Sequence, residues 1–240
     1  MLRTKKVTVN GRQVFEAGTV IDTRSDILSV DNQNVKIIPD LYFMMNKRQG
    51  VVCTSSEGRN IRVWADVDPK FLNPDGLKNL HTVGRLDIDT EGLLILTTDG
   101  LFSHRLTDPQ FHVPKTYLVC LRDYCDSQKR DFYEKEFSKG MYLEKEKHGA
   151  AFTAGPAKIE WIDGENEYFR LESSNGKIDL TKCFLTISEG KFHQVKRMFA
   201  AVGNEVVFLK RISVGNLKLD PKLLPGEYRS MTYEELMCLC

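Results

Sequence analysis

The segment GRLDIDTEGLLILTTDG (84–100) gathers the residues best suited to chemistry. It holds Asp87, Asp89, Glu91 and Asp99, and an apolar run, Leu93 to Leu96, follows the first three. Three readings compete. A calcium loop would take oxygens from D-I-D-T-E-G at its first, third and fifth positions, with glycine sixth. Its last ligand must be a bidentate acid, and Thr98 stands there instead. A nucleophile or base is the second reading. Arg85 and Asp87 bracket a leucine, so on extended backbone they point to one side. A carboxylate beside a cation keeps its charge, which suits a nucleophile more than an acid. The third reading is a plain turn, capped by Asp89-Thr90 or Asp99-Gly100. Other chemistries lack their parts: the chain has no Walker loop, no G-x-S-x-G and no H-E-x-x-H.

The flanking elements must hold that loop. Leu93 to Thr97 reads as a buried strand, and DGLFSHRL as a short helix opened by Asp99-Gly100 with Pro109 past its end. KTYLVCL (115–121), AKIEWI, EYFRLES and FLTIS (184–188) read as further strands. LYFMMNK and VVC form a strand pair around Gly50, and Asp126 to Lys139 is helical. KFHQVKRMFAAVGN carries the strongest helical signal. Phe192, Val195, Phe199 and Val202 make one buried stripe, and Gly203-Asn204 is the stop. VVFLKRISVG gives a strand pair. Near the front, alternation around Asn10-Gly11 is a hairpin signal. The polar piece DNQN (31–34) then separates this segment from the rest, and a boundary near 32–40 divides the chain into 1–36 and 37–240. Strands outnumber helices without regular βαβ alternation. The fold class is therefore α+β with a largely antiparallel sheet.

Composition bounds the partners. The chain has 240 residues, a net charge of +1 and six cysteines, with no C-x-x-C pair. No apolar run is long enough to span a bilayer and no secretory leader is evident, so reduced thiols in a cytoplasmic monomer are expected. Charge is uneven: between Lys182 and Arg229 nine Lys or Arg stand against four acids, a local excess of five.

Taken together, the motifs resemble the pseudouridine synthases of the small-subunit ribosomal RNA branch (RsuA type). GRLDIDTEGLLILTTDG resembles the family signature and MMNKRQGVVC its opening strand-turn. DGLFSHRLTDP resembles the helix after the signature, and KTYLV the tyrosine motif. ISEGKFHQVKRMFAAVGNEVVFLKRISVG resembles its basic motif, and LPGEYRSMTYEEL its ending. The resemblance covers roughly residues 40 to 240, in order.

The resemblance implies a pseudouridine synthase fold with an active-site cleft, and Asp87 as the essential catalyst. The reaction breaks the N-glycosidic bond of a uridine in RNA, turns the base and rejoins it through carbon, without a cofactor or a metal. Whether the carboxylate attacks the sugar, attacks the base or removes a sugar proton stays open. Tyr117 matches the active-site tyrosine that stacks on uracil, and Lys196 the basic partner of the aspartate. Arg85 matches the residue thought to fill the gap left by the flipped uridine. Lys47, Lys115, Lys191 and Arg197 are assigned to phosphate contacts. His193 and Gln194 are expected to support the helix start, and Asp89 and Thr90 to hold the Asp87 loop. The implied partner is 16S rRNA or a small-subunit assembly intermediate. The branch's usual target is uridine 516 of bacterial 16S rRNA. The same chemistry on a 23S site, or a non-catalytic RNA-binding assembly factor, are the alternatives.

Three departures stand out. The family's N-K-P reads Asn46-Lys47-Arg48 here. The branch also begins with an S4-type RNA-binding domain of two helices followed by strands. KKVTVNGRQVFEAGTVIDTRSDILSV resembles only the strand half, so a partial S4-like segment is expected. The region 164–182 is longer than the branch usually shows.

Overall fold

The computed structural model describes residues 5–239 except 17, 23–24, 36–38, 55–57, 73–78, 148, 165–167 and 169–179. The chain forms two compact units, residues 1–40 and 41–240. The first is a four-stranded antiparallel sheet of β1 (Val7–Val9), β2 (Arg12–Gln13), β3 (Leu28–Val30) and β4 (Gln33–Val35), in the order β2-β1-β3-β4. Two hairpin turns build it. Asn10 and Gly11 have φ of 51° and 79°, and Asp31 and Asn32 have 50° and 65°. Asn, Asp and Gly tolerate positive φ, and turns with two such residues match the twist of the paired strands. DNQN is therefore a turn inside this sheet rather than a separator, and the boundary lies at Asp40/Leu41.

The second unit holds β5 (Tyr42–Lys47), β6 (His81–Val83), β7 (Glu91–Thr97), α1 (Gly100–Thr107), β8 (Lys115–Leu121), α2 (Ser127–Lys139), β9 (Met141–Leu143) and β10 (Phe152–Ala154). It continues through β11 (Lys158–Ile162), β12 (Thr181–Ile187), α3 (Gln194–Ala201), β13 (Val206–Val214), β14 (Leu217–Lys218), β15 (Tyr228–Ser230) and α4 (Tyr233–Met237). Its nine-stranded sheet runs β11-β12-β8-β13-β7-β5-β15, with β14 on β13 and β6 on β7. β13 and β7 run parallel, and the other described pairs are antiparallel. The fold is α+β with a largely antiparallel sheet, as the sequence implies.

β7 shows why its apolar run is continuous. Leu94 and Leu96 enter one core with Val119, Leu185 and Phe199, while Leu93 and Ile95 enter a second with Phe102 and Leu106. A strand buried on both faces has no polar alternation. Helices α2 and α3 contribute Tyr133, Phe137, Val195 and Phe199 to the first core; α1 contributes Phe102 and Leu106 to the second. Asp99 caps α1 by accepting hydrogen bonds from the Leu101 and Phe102 amides, and Asp126 caps α2.

Some expectations fail locally. VVC is a single bridge, Val52 to Arg62, and not a strand. VVFLKRISVG is one strand, with the turn after it. The β9–β10 hairpin was not anticipated, and EYFRLES, Tyr168 excepted, lies outside the described residues. Helix α3 begins at Gln194, so Phe192 leaves the expected stripe and is 43% exposed.

Candidate active site

The Asp87 loop leaves β6 at Val83 and enters β7 at Glu91. Its backbone is pinned from inside. Lys47, with 0% exposure, donates through Nζ to the carbonyls of Asp87 and Thr90, both at 2.9 Å, and of Arg48 at 3.1 Å. The Thr90 amide donates to the Asp87 carbonyl at 3.1 Å, and the Gly50 amide to that of Ile88 at 2.8 Å. Burial pulls the Lys47 ammonium below its ordinary pKa, against the opposing pull of Cys53, Asp87, Asp89 and Glu91. Lys47 is thus not a phosphate contact, because no RNA can reach a fully buried ammonium; it holds the loop's shape. The neighbouring departure from N-K-P has a structural use: Arg48 Nε pairs with Asp66 Oδ2 at 2.9 Å.

Helix α3 brings the opposite wall. Lys196 Nζ lies 3.6 Å from Asp87 Oδ2 and 2.5 Å from Asp89 Oδ1. Burial raises the Asp89 carboxyl, but the hydrogen bond and charge of Lys196 outweigh it, so Asp89 sits below the usual carboxylate range. The other Asp87 oxygen faces His193: Nε2 is 3.8 Å from Oδ1, and Nδ1 is 3.8 Å from Glu146 Oε2. His193 has φ of 51°, makes no side-chain cap and stacks on Phe192 with centroids 3.7 Å apart. Gln194 does support the helix start, accepting from the Lys191 amide and donating to Glu189. Asp89, Glu146, His193 and Lys196 line a groove of about 560 Å³. The arrangement leaves Asp87 half-buried, with a cation on one oxygen and no hydrogen bond locking either oxygen among the described residues. Such a carboxylate is positioned and free to react.

The sheet carries the remaining candidates. In register, Leu185, Tyr117, Arg211, Gly92 and Lys47 follow one another across β12, β8, β13, β7 and β5. Tyr117 is 7% exposed, packs in the first core, and its hydroxyl makes no hydrogen bond among the described residues. Gly92 has φ of +105°, and an added Cβ would lie 2.7 Å from the Arg211 backbone nitrogen, so this strand contact demands glycine. Lys115 is half-buried, with Nζ 2.8 Å from the Val113 carbonyl. Lys191 is exposed, 4.6 Å over the Phe152 ring. Arg85 is exposed and makes no ion pair among the described residues, so the cation beside Asp87 is Lys196 and not Arg85. Arg197 is the second correction among the phosphate contacts. Its side chain is buried, its guanidinium sits over Phe152, and it donates to the carbonyls of Leu143, Glu144 and Ala150. It ties β9 and its following loop to α3.

The family model for RNA pseudouridylate synthases matches residues 41–201. Over 235 residues the chain is 40% identical to the ribosomal small subunit pseudouridine synthase A of Escherichia coli K12, covering 98% of this chain and 89% of that one. It is 39% identical over 240 residues to the uncharacterized RNA pseudouridine synthase YtzG of Bacillus subtilis, covering 100% and 90%. A crystal structure of a pseudouridylate synthase matches at TM-score 0.67 and 37% identity, covering 100% and 90%. This chain belongs to the RNA pseudouridylate synthase family. Membership makes it an isomerase acting on RNA.

Around Asp87 stand residues that sequence reasoning missed. His193 was read as a helix-start residue, yet it faces Asp87; only its left-handed backbone turns it there. Glu146 had no signal at all. Gly92, within T-E-G, was legible as a glycine in a strand pattern, which marks close backbone approach.

Proposed function

We propose that this protein converts one uridine of 16S ribosomal RNA to pseudouridine, and that uridine 516, the branch's usual target, is its substrate. The observation that carries the reading is the near full-length similarity to small-subunit synthases, joined to the Asp87–Lys196 pair. The reaction is balanced within the nucleotide. The bond from the ribose carbon to N1 breaks, a bond to C5 forms, and the proton on C5 leaves as N1 gains one. Each open route for Asp87 needs a positioned carboxylate, and Lys196 Nζ stands 3.6 Å from its Oδ2. Tyr117 lies under the uracil, and Arg85 occupies the vacancy in the RNA stack. Lys115 and Lys191 contact phosphates. Residues 1–36 act as a partial S4-like RNA-binding segment. The partner is 16S rRNA or a small-subunit assembly intermediate, met in the cytoplasm by a monomer that needs no cofactor.

The test is pseudouridine mapping of 16S rRNA from a strain lacking the gene, complemented with wild type or Asp87→Asn. Wild type restores one position and the variant restores none, while the variant keeps its RNA affinity. Restoration by Asp87→Asn would remove Asp87 as catalyst. A restored position in 23S rRNA instead would move the substrate.

A further inference from the structure

Arg211 is 3% exposed, and one of its nitrogens, Nε, donates to the Leu93 carbonyl at 2.8 Å. Its two terminal nitrogens make no hydrogen bond among the described residues, and no carboxylate pairs with it. Neither terminal nitrogen is among the fully buried polar atoms that lack a partner, so both keep contact with solvent, unlike the ammonium of Lys47. Its register partner on β8 is Tyr117, and two residues along the same strand face stands Lys115. Lys115 also lacks a carboxylate among the described residues, and its ammonium reaches only the Val113 carbonyl. Burial first, and then the charge of Arg211, pull Lys115 down to about 8. Two largely buried cations therefore neighbour Tyr117 on the sheet, and no carboxylate among the described residues pairs with either.

We propose that Lys115 and Arg211 form a phosphate-binding subsite that seats the phosphodiester next to the flipped uridine while Tyr117 carries the base. This rests on the reading of Asp87 and its surroundings as the uridine site. The chemistry favours a phosphate. An anion is needed to offset two positive charges, and a planar guanidinium with free donors matches tetrahedral phosphate oxygens. The arriving anion draws Lys115 from its carbonyl and holds it charged to higher pH. The subsite thereby fixes the ribose by its own phosphate, so that a base attached to it is held above the strand row next to the Asp87 loop. Arg211 acts as a binding residue here and takes no proton.

The full-length protein carries the test, as wild type, Lys115→Met, Arg211→Lys and Arg211→Gln. One arm follows the Lys115 side-chain carbon signal by NMR during titration with inorganic phosphate. The signal is expected to shift, and its titration midpoint to rise above about 8. A signal indifferent to phosphate overturns the subsite. The second arm measures single-turnover pseudouridine formation on a 16S rRNA transcript. Lys115→Met is expected to raise the half-saturating concentration about tenfold and lower its salt slope by about one, a larger effect than any fall in the saturated rate. Arg211→Lys is expected to do less harm than Arg211→Gln. An unchanged half-saturating concentration, or a loss confined to the saturated rate, overturns the proposal. If Arg211→Gln does not fold, Lys115→Met and the phosphate titration decide. If wild type leaves the transcript unmodified, the 16S reading fails, and the phosphate arm still decides the subsite.

Discussion

Lys47 and Lys115 show how one residue type divides its work by burial. Lys47 spends all three ammonium protons on backbone carbonyls, two of them in the Asp87 loop. Lys47→Met leaves those carbonyls buried without donors. We expect a loss of about 2–4 kcal/mol in urea unfolding, with a fall in turnover that exceeds any change in RNA affinity. A variant as stable as wild type would contradict the pinning role. Lys115 predicts the opposite sign. Unfolded, its ammonium titrates near the ordinary 10.5, and folded near about 8. Between those values the unfolded chain holds more protons, so stability rises with pH; below about 8 the buried charge carries its full penalty. Lys115→Met should therefore raise the urea midpoint at pH 7, and the gain should vanish as pH passes 10.5. A midpoint lowered at pH 7 would mean the ammonium stabilises the free protein.

Strand β7 joins the loop to the sheet, and Gly92 is its tightest point. An alanine there meets the Arg211 backbone and must adopt φ of +105°. Gly92→Ala should cost about 3 kcal/mol or more and abolish turnover by displacing Arg211 and Tyr117 together. Soluble, active Gly92→Ala protein would show that β7 and β13 can part without cost. Helix α3 teaches a related lesson. Its register was legible from Val195, Phe199 and Val202, and Gly203-Asn204 does end it, with φ of +80° at Gly203. Its first turn was not legible. His193 departs into left-handed backbone, which carries Phe192 out of the stripe and brings an imidazole to Asp87. A hydrophobic period reports which face is buried, and says nothing of a residue that leaves the helix.

Charge behaves differently in the whole molecule than along the chain. Of the basic excess between 182 and 229, Arg197 and Arg211 are buried, Lys196 faces Asp87 and Asp89, and Arg229 pairs with Asp220 and Glu235. Much of that excess is internal wiring of the site and the C-terminal turn rather than a basic surface. The unit boundary carries its own prediction. Every strand of the nine-stranded sheet and both apolar clusters lie within 41–240. A fragment of residues 41–240 should keep one cooperative thermal transition and its near-ultraviolet dichroism, while its affinity for 16S rRNA falls if residues 1–40 bind RNA. An affinity equal to that of the full chain would remove the S4-like role.

The sequence by itself determined most of the strands, the cap of α1 at Asp99, the helical character of Asp126 to Lys139 and the hairpin at Asn10-Gly11. Each rests on short-range rules: turn residues, capping side chains and the period of apolar positions. Ordered motifs added the family. Only the tertiary structure decided which cations face solvent, because burial depends on strands distant in sequence. Lys47 and Arg197 read as phosphate contacts and became internal donors, while Arg211 read as one more basic residue and became the buried neighbour of Tyr117. Parallel pairing of β7 with β13 placed it there, and pairing across 118 residues leaves no local trace in the chain.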